Sequence, residues 1–159
     1  MRSADWLKLA FFFAVGALAK LGAVFEIDWL YRLFLHIPAG LLALSGHGTY
    51  SEAAGVYCFE SFILDYSCAG INFFLLALAT GTMALWGTGR ISFVVLPFAW
   101  LLTVVANSMR VGLYLKVRSV TGDRPWLHET LGILVFLTLL IVYYELLRRR
   151  LHARKQPPL

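Results

Sequence analysis

The sequence predicts an all-α integral membrane protein, a bundle of about five transmembrane helices with an outer loop that forms a short hairpin. Three observations predict it. The 159 residues are 60% hydrophobic and only 14% charged, where a soluble domain is nearer half apolar and a quarter charged. The apolar residues fall in runs close to the roughly 20 that cross a bilayer. The formal charge of +5 is concentrated at one end, where Arg148-Arg149-Arg150-Leu151-His152-Ala153-Arg154-Lys155 follows the last apolar run directly. Under the positive-inside rule that cluster is a cytoplasmic anchor rather than a nucleic-acid tail. The chain thus reads as one polytopic membrane domain, 1–147, and a basic cytoplasmic tail, 148–159, set in lipid with no nucleic-acid partner.

The first helix is expected over 6–25. It runs past signal-peptide length, contains Lys20 and lacks a small-x-small cleavage site, so it reads as a retained helix. The second, 29–44, is shorter and interrupted by Pro38 and Gly40. Either it spans fully and puts the N-terminus outside, or it is re-entrant and puts the N-terminus in the cytoplasm, as Arg2 and Lys8 favour. The polar and aromatic stretch 46–67 is a loop, and 55–66 within it has the strand-like composition of a hairpin. Such a hairpin is placed to act as a lid or ledge over a site. Helices three, four and five are expected over 69–86, 91–116 and 129–147. Periodicity adds little, because these runs are apolar on nearly all faces.

A cytoplasmic C-terminus fixes the rest. Helix five enters from outside, helix four runs outward, and the link Gly87-Thr88-Gly89-Arg90 is cytoplasmic, in keeping with Arg90. Cys68 then lies at the outer start of helix three and His128 at the outer start of helix five. Arg110 lies about 9 Å of helix rise before the outer end of helix four.

Those three side chains carry the chemistry. A thiolate is a nucleophile, and a helix start with unpaired amides favours it, as does a nearby cation. Against this, a cysteine in a membrane protein is more often packing. Arginine within an apolar span is costly and calls for a partner or a function. Arg110 with Asn107 at i−3 forms a pair able to hold a developing oxyanion. The structural alternative is an ion pair with Glu60 or Asp65. His128 can take the thiol proton and return it to a leaving amine; otherwise it is an interfacial histidine bonded to a loop carbonyl. Glu129 points about 100° away on a helix and is not its orienting residue. Gly70, Asn107 and Asn72 are the supporting candidates. Cys58 is either filler or a disulfide partner for Cys68. His36 and His47 have no matching partners, no metal site is indicated, and no cofactor is required.

At these residues the chain resembles the exosortase/archaeosortase family of membrane transpeptidases. The resemblance rests on Cys68-Ala69-Gly70, then Asn107-Ser108-Met109-Arg110, then His128-Glu129-Thr130-Leu131-Gly132, in that order at outer helix ends, and covers about 57–147. In its small size the chain looks like the short exosortase K type, and it is shorter on its N-terminal side than typical exosortases. The resemblance implies a cysteine transpeptidase of the inner (plasma) membrane, its site on the extracytoplasmic side. Its partners would be exported proteins bearing a C-terminal sorting signal: a motif, a transmembrane helix and a basic tail. Cys68 would attack, Arg110 would stabilise the oxyanion and His128 would move the proton. Two competing readings are a non-catalytic membrane subunit for transport or assembly, and a hydrolase that uses water as acceptor.

Overall fold

Inside a bilayer a backbone can satisfy its polar groups only within a helix or a closed barrel, and helices dominate this chain. A computed structural model describes residues 3–53, 56–59, 62–86, 93–122 and 124–153. The five helices are α1 (Ser3–Val24), α2 (Asp28–Leu42), α3 (Ile71–Trp86), α4 (Val95–Thr121) and α5 (Pro125–Ala153). Three contain segments long and apolar enough to cross a membrane: Asp5–Val24, Val95–Thr121 and Trp126–Arg149. Their outward faces carry bare apolar side chains such as Leu7, Phe13, Ile133 and Leu137, which suits lipid and not water.

The expectation of about five full spans is therefore met only in part. α3 is apolar but has 16 residues. α2 has 15, with Pro38 inside it. These rise about 24 and 22 Å, short of the roughly 30 Å hydrocarbon core.

α3 packs against α1, α4 and α5, and α2 lies against α4. Ala77 of α3 and Ala99 of α4 are fully buried; small residues let helix backbones approach closely. The α2 face Phe34, Leu35, Ala39 and Leu42 is buried as well. Phe34 meets Phe74 edge-on at 5.3 Å between ring centres. Trp100 of α4 donates its indole N–H to the Leu33 carbonyl at 3.0 Å.

The loop departs from an all-α fold more than expected. After a wide turn, Ala43–His47, the chain forms β1 (Tyr50–Ala53), β2 (Val56–Phe59) and β3 (Ile63–Leu64). The sheet is antiparallel in the order β1-β2-β3, with Tyr50 opposite Phe59 and Tyr57 opposite Leu64. The expected hairpin is β2–β3, and β1 extends it.

Charged and aromatic contacts fasten this sheet to α2. Arg32 Nε is 2.7 Å from Glu52 Oε1, and His36 Nδ1 is 3.2 Å from the Tyr57 hydroxyl. Tyr57 is fully buried, and burial together with the Glu52 carboxylate pushes its hydroxyl up to about 12. Tyr31 of α2 packs on Tyr66, ring centres 4.2 Å apart. Tyr66 opens a short 3-10 turn, Tyr66–Ala69, that delivers the chain into α3.

Helix ends move at two further places. α4 continues five residues past the expected 116, to Thr121, where the Gly122 N–H bonds the Arg118 carbonyl at 2.9 Å. α5 starts at Pro125, a residue suited to a first turn, and continues through Arg148 to Ala153, so the first part of the expected basic tail is helical. The Gly87–Arg90 link, Glu60 and the tail beyond Ala153 lie outside the described residues.

Candidate functional site

The 3-10 turn sets the position of Cys68. Its N–H bonds the Asp65 carbonyl at 3.0 Å, and Gly70 follows with φ +68°, the left-handed region that costs a side-chain-bearing residue. The Gly70 carbonyl then accepts the Phe74 N–H at 3.0 Å and opens α3. Cys68 is 7% exposed and is part of the main core cluster. No disulfide joins Cys58, on the central strand, to Cys68.

α4 presents two side chains to this turn. Asn107, with 0% exposure, donates its amide N–H to the Ala69 carbonyl at 2.7 Å. Its amide fills the space over Gly70, where a Cβ would fall 2.7 Å from Oδ1. Asn107 is enclosed by protein and holds the backbone beside Cys68 through one amide N–H, while its Oδ1 has no hydrogen-bond partner among the described residues.

Arg110 is one turn further along, 6% exposed. Its stem passes Gly132 so closely that a Cβ there would lie 3.1 Å from Arg110 Cδ. Its guanidinium lies over the Phe136 ring at 5.4 Å, a cation–π contact. The Cys68 side chain adjoins this guanidinium, and the Asp65 carboxylate acts on it electrostatically. Nε and Nη2 have no hydrogen-bond partner among the described residues. Because α4 is longer than expected, Arg110 stands about 16 Å of rise before its C-terminal end rather than about 9 Å.

α5 brings the third side chain. His128 is the fourth residue of the helix, half-buried. Its Nε2 lies 4.0 Å from Cys68 Sγ, and its ring meets Tyr114 edge-on at 5.2 Å. Glu129 is exposed. The structure thus brings Cys68, Arg110 and His128 together from three elements, with Asn107 and Gly70 beneath them.

Asn72 stands apart from that group. It is exposed in the first turn of α3, and its Oδ1 accepts a hydrogen bond from Lys20 Nζ of α1 at 2.8 Å. Lys20, Asn72, Gly70 and Arg110 line one cavity of about 490 Å³, walled on its far side by Phe136, Leu137 and other apolar residues of α5.

Lys20, Gly132, Phe136 and Tyr114 were not site candidates from sequence. Gly132 had a visible signal, one helical turn after His128. Lys20 had none, because its partner is 52 residues away. Among the described residues no group of three His, Cys, Asp or Glu is placed to hold a metal ion. No family model, curated protein or solved structure matches the chain.

Proposed function

We propose that this protein is a membrane cysteine transpeptidase that cleaves C-terminal sorting signals of exported proteins and passes the acyl group to an acceptor. The observation that carries this reading is the approach of His128 Nε2 to Cys68 Sγ at 4.0 Å beside a buried arginine. A thiol, a base and an oxyanion partner are what acyl transfer on a peptide bond requires. The family resemblance of the three motifs supports the choice of substrate.

In this mechanism His128, with its proton on Nδ1, accepts the Cys68 proton at Nε2. The thiolate adds to the scissile carbonyl, and the Arg110 guanidinium faces the resulting oxyanion. Collapse breaks the C–N bond. His128 delivers its proton to the departing amine, which leaves with the substrate's helix and basic tail. The thioester on Cys68 is then attacked by an acceptor amine, His128 taking the acceptor's proton, and the thiol is restored. Every proton removed is returned within the cycle, so the residues present suffice.

We infer that the site faces the extracytoplasmic side of the plasma membrane. The argument is the cluster Arg148, Arg149 and Arg150 at the far end of α5 from His128, which the positive-inside rule assigns to the cytoplasm. In this reading α3 also passes through the bilayer despite its length, and α2 with its bound sheet lies at the site end as a re-entrant element. The sheet is the ledge along which an extended peptide reaches the turn at Cys68.

The test is Cys68→Ala in the native host, reading the size and membrane release of proteins that end in a helix and a basic tail. Accumulation of uncleaved precursor in the variant alone supports the proposal. Unchanged processing at normal protein level overturns it in favour of a non-catalytic membrane subunit. Capture of the acyl group by an added amine separates transfer from hydrolysis.

A further inference from the structure

We propose that the cavity between α1, α3 and α5 is a binding site for an anionic glycerophospholipid, its phosphate held between Lys20 and Arg110 and an acyl chain laid along α5. Two cations from different helices line this one cavity, and no carboxylate is among its described lining residues; Asp65 acts on Arg110 without lining the cavity. Arg110 is 6% exposed, yet its Nε and Nη2 have no partner among the described residues. Buried donors of this kind are normally satisfied, and a guanidinium fork matches two oxygens of one phosphate. Lys20 gives one N–H to Asn72 at 2.8 Å and keeps two more for a ligand.

The rest of the cavity argues for a lipid over free phosphate. Its wall continues through Leu76, Ile133 and Leu137, each more than half exposed. Ile133 and Leu137 face outward from α5, a helix of spanning character, and Leu76 from the apolar α3 beside it, so the cavity opens sideways to hydrocarbon. A ligand that fits has one anionic end and one apolar end. The polar end sits at the start of α3, where Asn72 is in the first helical turn, and such a helix end is the level of headgroups. This inference does not rest on the Cys68 chemistry; where both hold, lipid phosphate and substrate oxyanion take the Arg110 guanidinium in turn.

The experiment uses the full chain purified in a neutral detergent. It is incubated with phosphatidylglycerol, with phosphatidylcholine of the same chains, or with inorganic phosphate, and retained molecules are counted by native mass spectrometry. The expected result is one retained phosphatidylglycerol, preferred over phosphatidylcholine. Removing one cation near an anionic headgroup should weaken retention roughly fivefold, so Lys20→Met lowers it by that factor. Leu137→Trp, which fills the apolar wall, lowers retention without touching a charge and covers the case in which Lys20→Met fails to fold. Cys68→Ala retains the lipid whether or not it processes substrate. Equal retention of the two lipids, or several equivalents insensitive to both variants, means an ordinary lipid annulus and overturns the proposal. So does displacement of the lipid by millimolar inorganic phosphate, which identifies a free-phosphate site.

Discussion

The carboxamide of Asn107 occupies the place a side chain would take at residue 70. A Cβ on Gly70 would lie 2.7 Å from Asn107 Oδ1, while the same amide's N–H holds the Ala69 carbonyl at 2.7 Å. One buried residue of α4 thus requires a glycine in the turn and locks the backbone one residue past Cys68. The glycine after Cys68-Ala69 and the asparagine three residues before Arg110 are two halves of one joint.

Gly70→Ala should therefore be costly. The left-handed φ contributes about 1 kcal/mol or more, and overpacking against the amide adds about 1–3 kcal/mol. Asn107→Ala alone should cost about 1–3 kcal/mol by orphaning the buried Ala69 carbonyl. The double variant should be less destabilised than the sum of the two, because only the collision is relieved. Thermal unfolding in detergent of all four proteins measures this coupling, and strict additivity would count against the joint.

On the proposed reading, Cys68→Ser keeps the fold and loses processing, since an alcohol beside imidazole is a far weaker nucleophile than a thiol. Precursor cleavage should fall below detection while melting temperature stays within a few degrees. Cys58→Ser, on the sheet, should leave processing intact.

On the same reading, Arg110→Lys should lose most of the rate even though the charge is kept. A lysine lacks the planar fork and the stacked position over Phe136. Loss of an oxyanion donor costs on the order of 10²–10³ in kcat. The informative readout is kcat against KM with a purified sorting-signal peptide. A rise in KM alone would assign Arg110 to substrate binding.

The sheet should loosen at alkaline pH. The Tyr57 hydroxyl is raised to about 12, above the ordinary value of about 10. Between these values the folded state keeps a proton that the unfolded state has lost. The contribution is thus full below pH of about 10 and is lost as pH rises toward 12. Tyr57→Phe lacks it throughout, and near neutrality should be less stable by about 1 kcal/mol for the lost hydrogen bond. Melting temperatures measured from pH 8 to 12 should show the gap between the two proteins closing. A gap that stays constant would mean the tyrosine does not titrate in this way.

Much of the helical framework was legible because apolar runs in a bilayer have one local solution. The same runs put Cys68 and His128 near helix starts, but Cys68 stands in a 3-10 turn ahead of α3 and His128 is the fourth residue of α5. Other features needed tertiary information. α4 outruns its expected end because Lys116 and Arg118 mark polarity and not termination, and the stop comes at Gly122. β1 has the sequence Tyr-Ser-Glu-Ala, which does not alternate as a strand does, and its pairing with β2 is sustained by Arg32 and His36 of α2. Asn107 stood out because it is polar in an apolar run, but its bond to Ala69 and its place over Gly70 appear only when α4 meets the turn. Lys20 carried no pattern at all and becomes part of the cavity only when α1 meets α3.

The brevity of α3 has a consequence for the surrounding lipid. Its 16 residues rise about 24 Å, whereas the apolar part of α5 has 24 residues and rises about 36 Å. A bilayer cannot match both. On the proposed reading, in which α3 crosses the bilayer, lipid adapts to this short element by thinning around it, and the leaflet is drawn down where α3 begins. The Cys68 turn then stands at the floor of a dimple, below the general plane of the membrane surface. A protein anchored by its own helix would present the segment just outside that helix at this depth without being pulled out of the membrane. A soluble peptide would have to descend to it. Bilayer thickness thereby becomes a setting of reactivity: vesicles of longer-chain lipids should deepen the dimple and favour anchored chains over free ones.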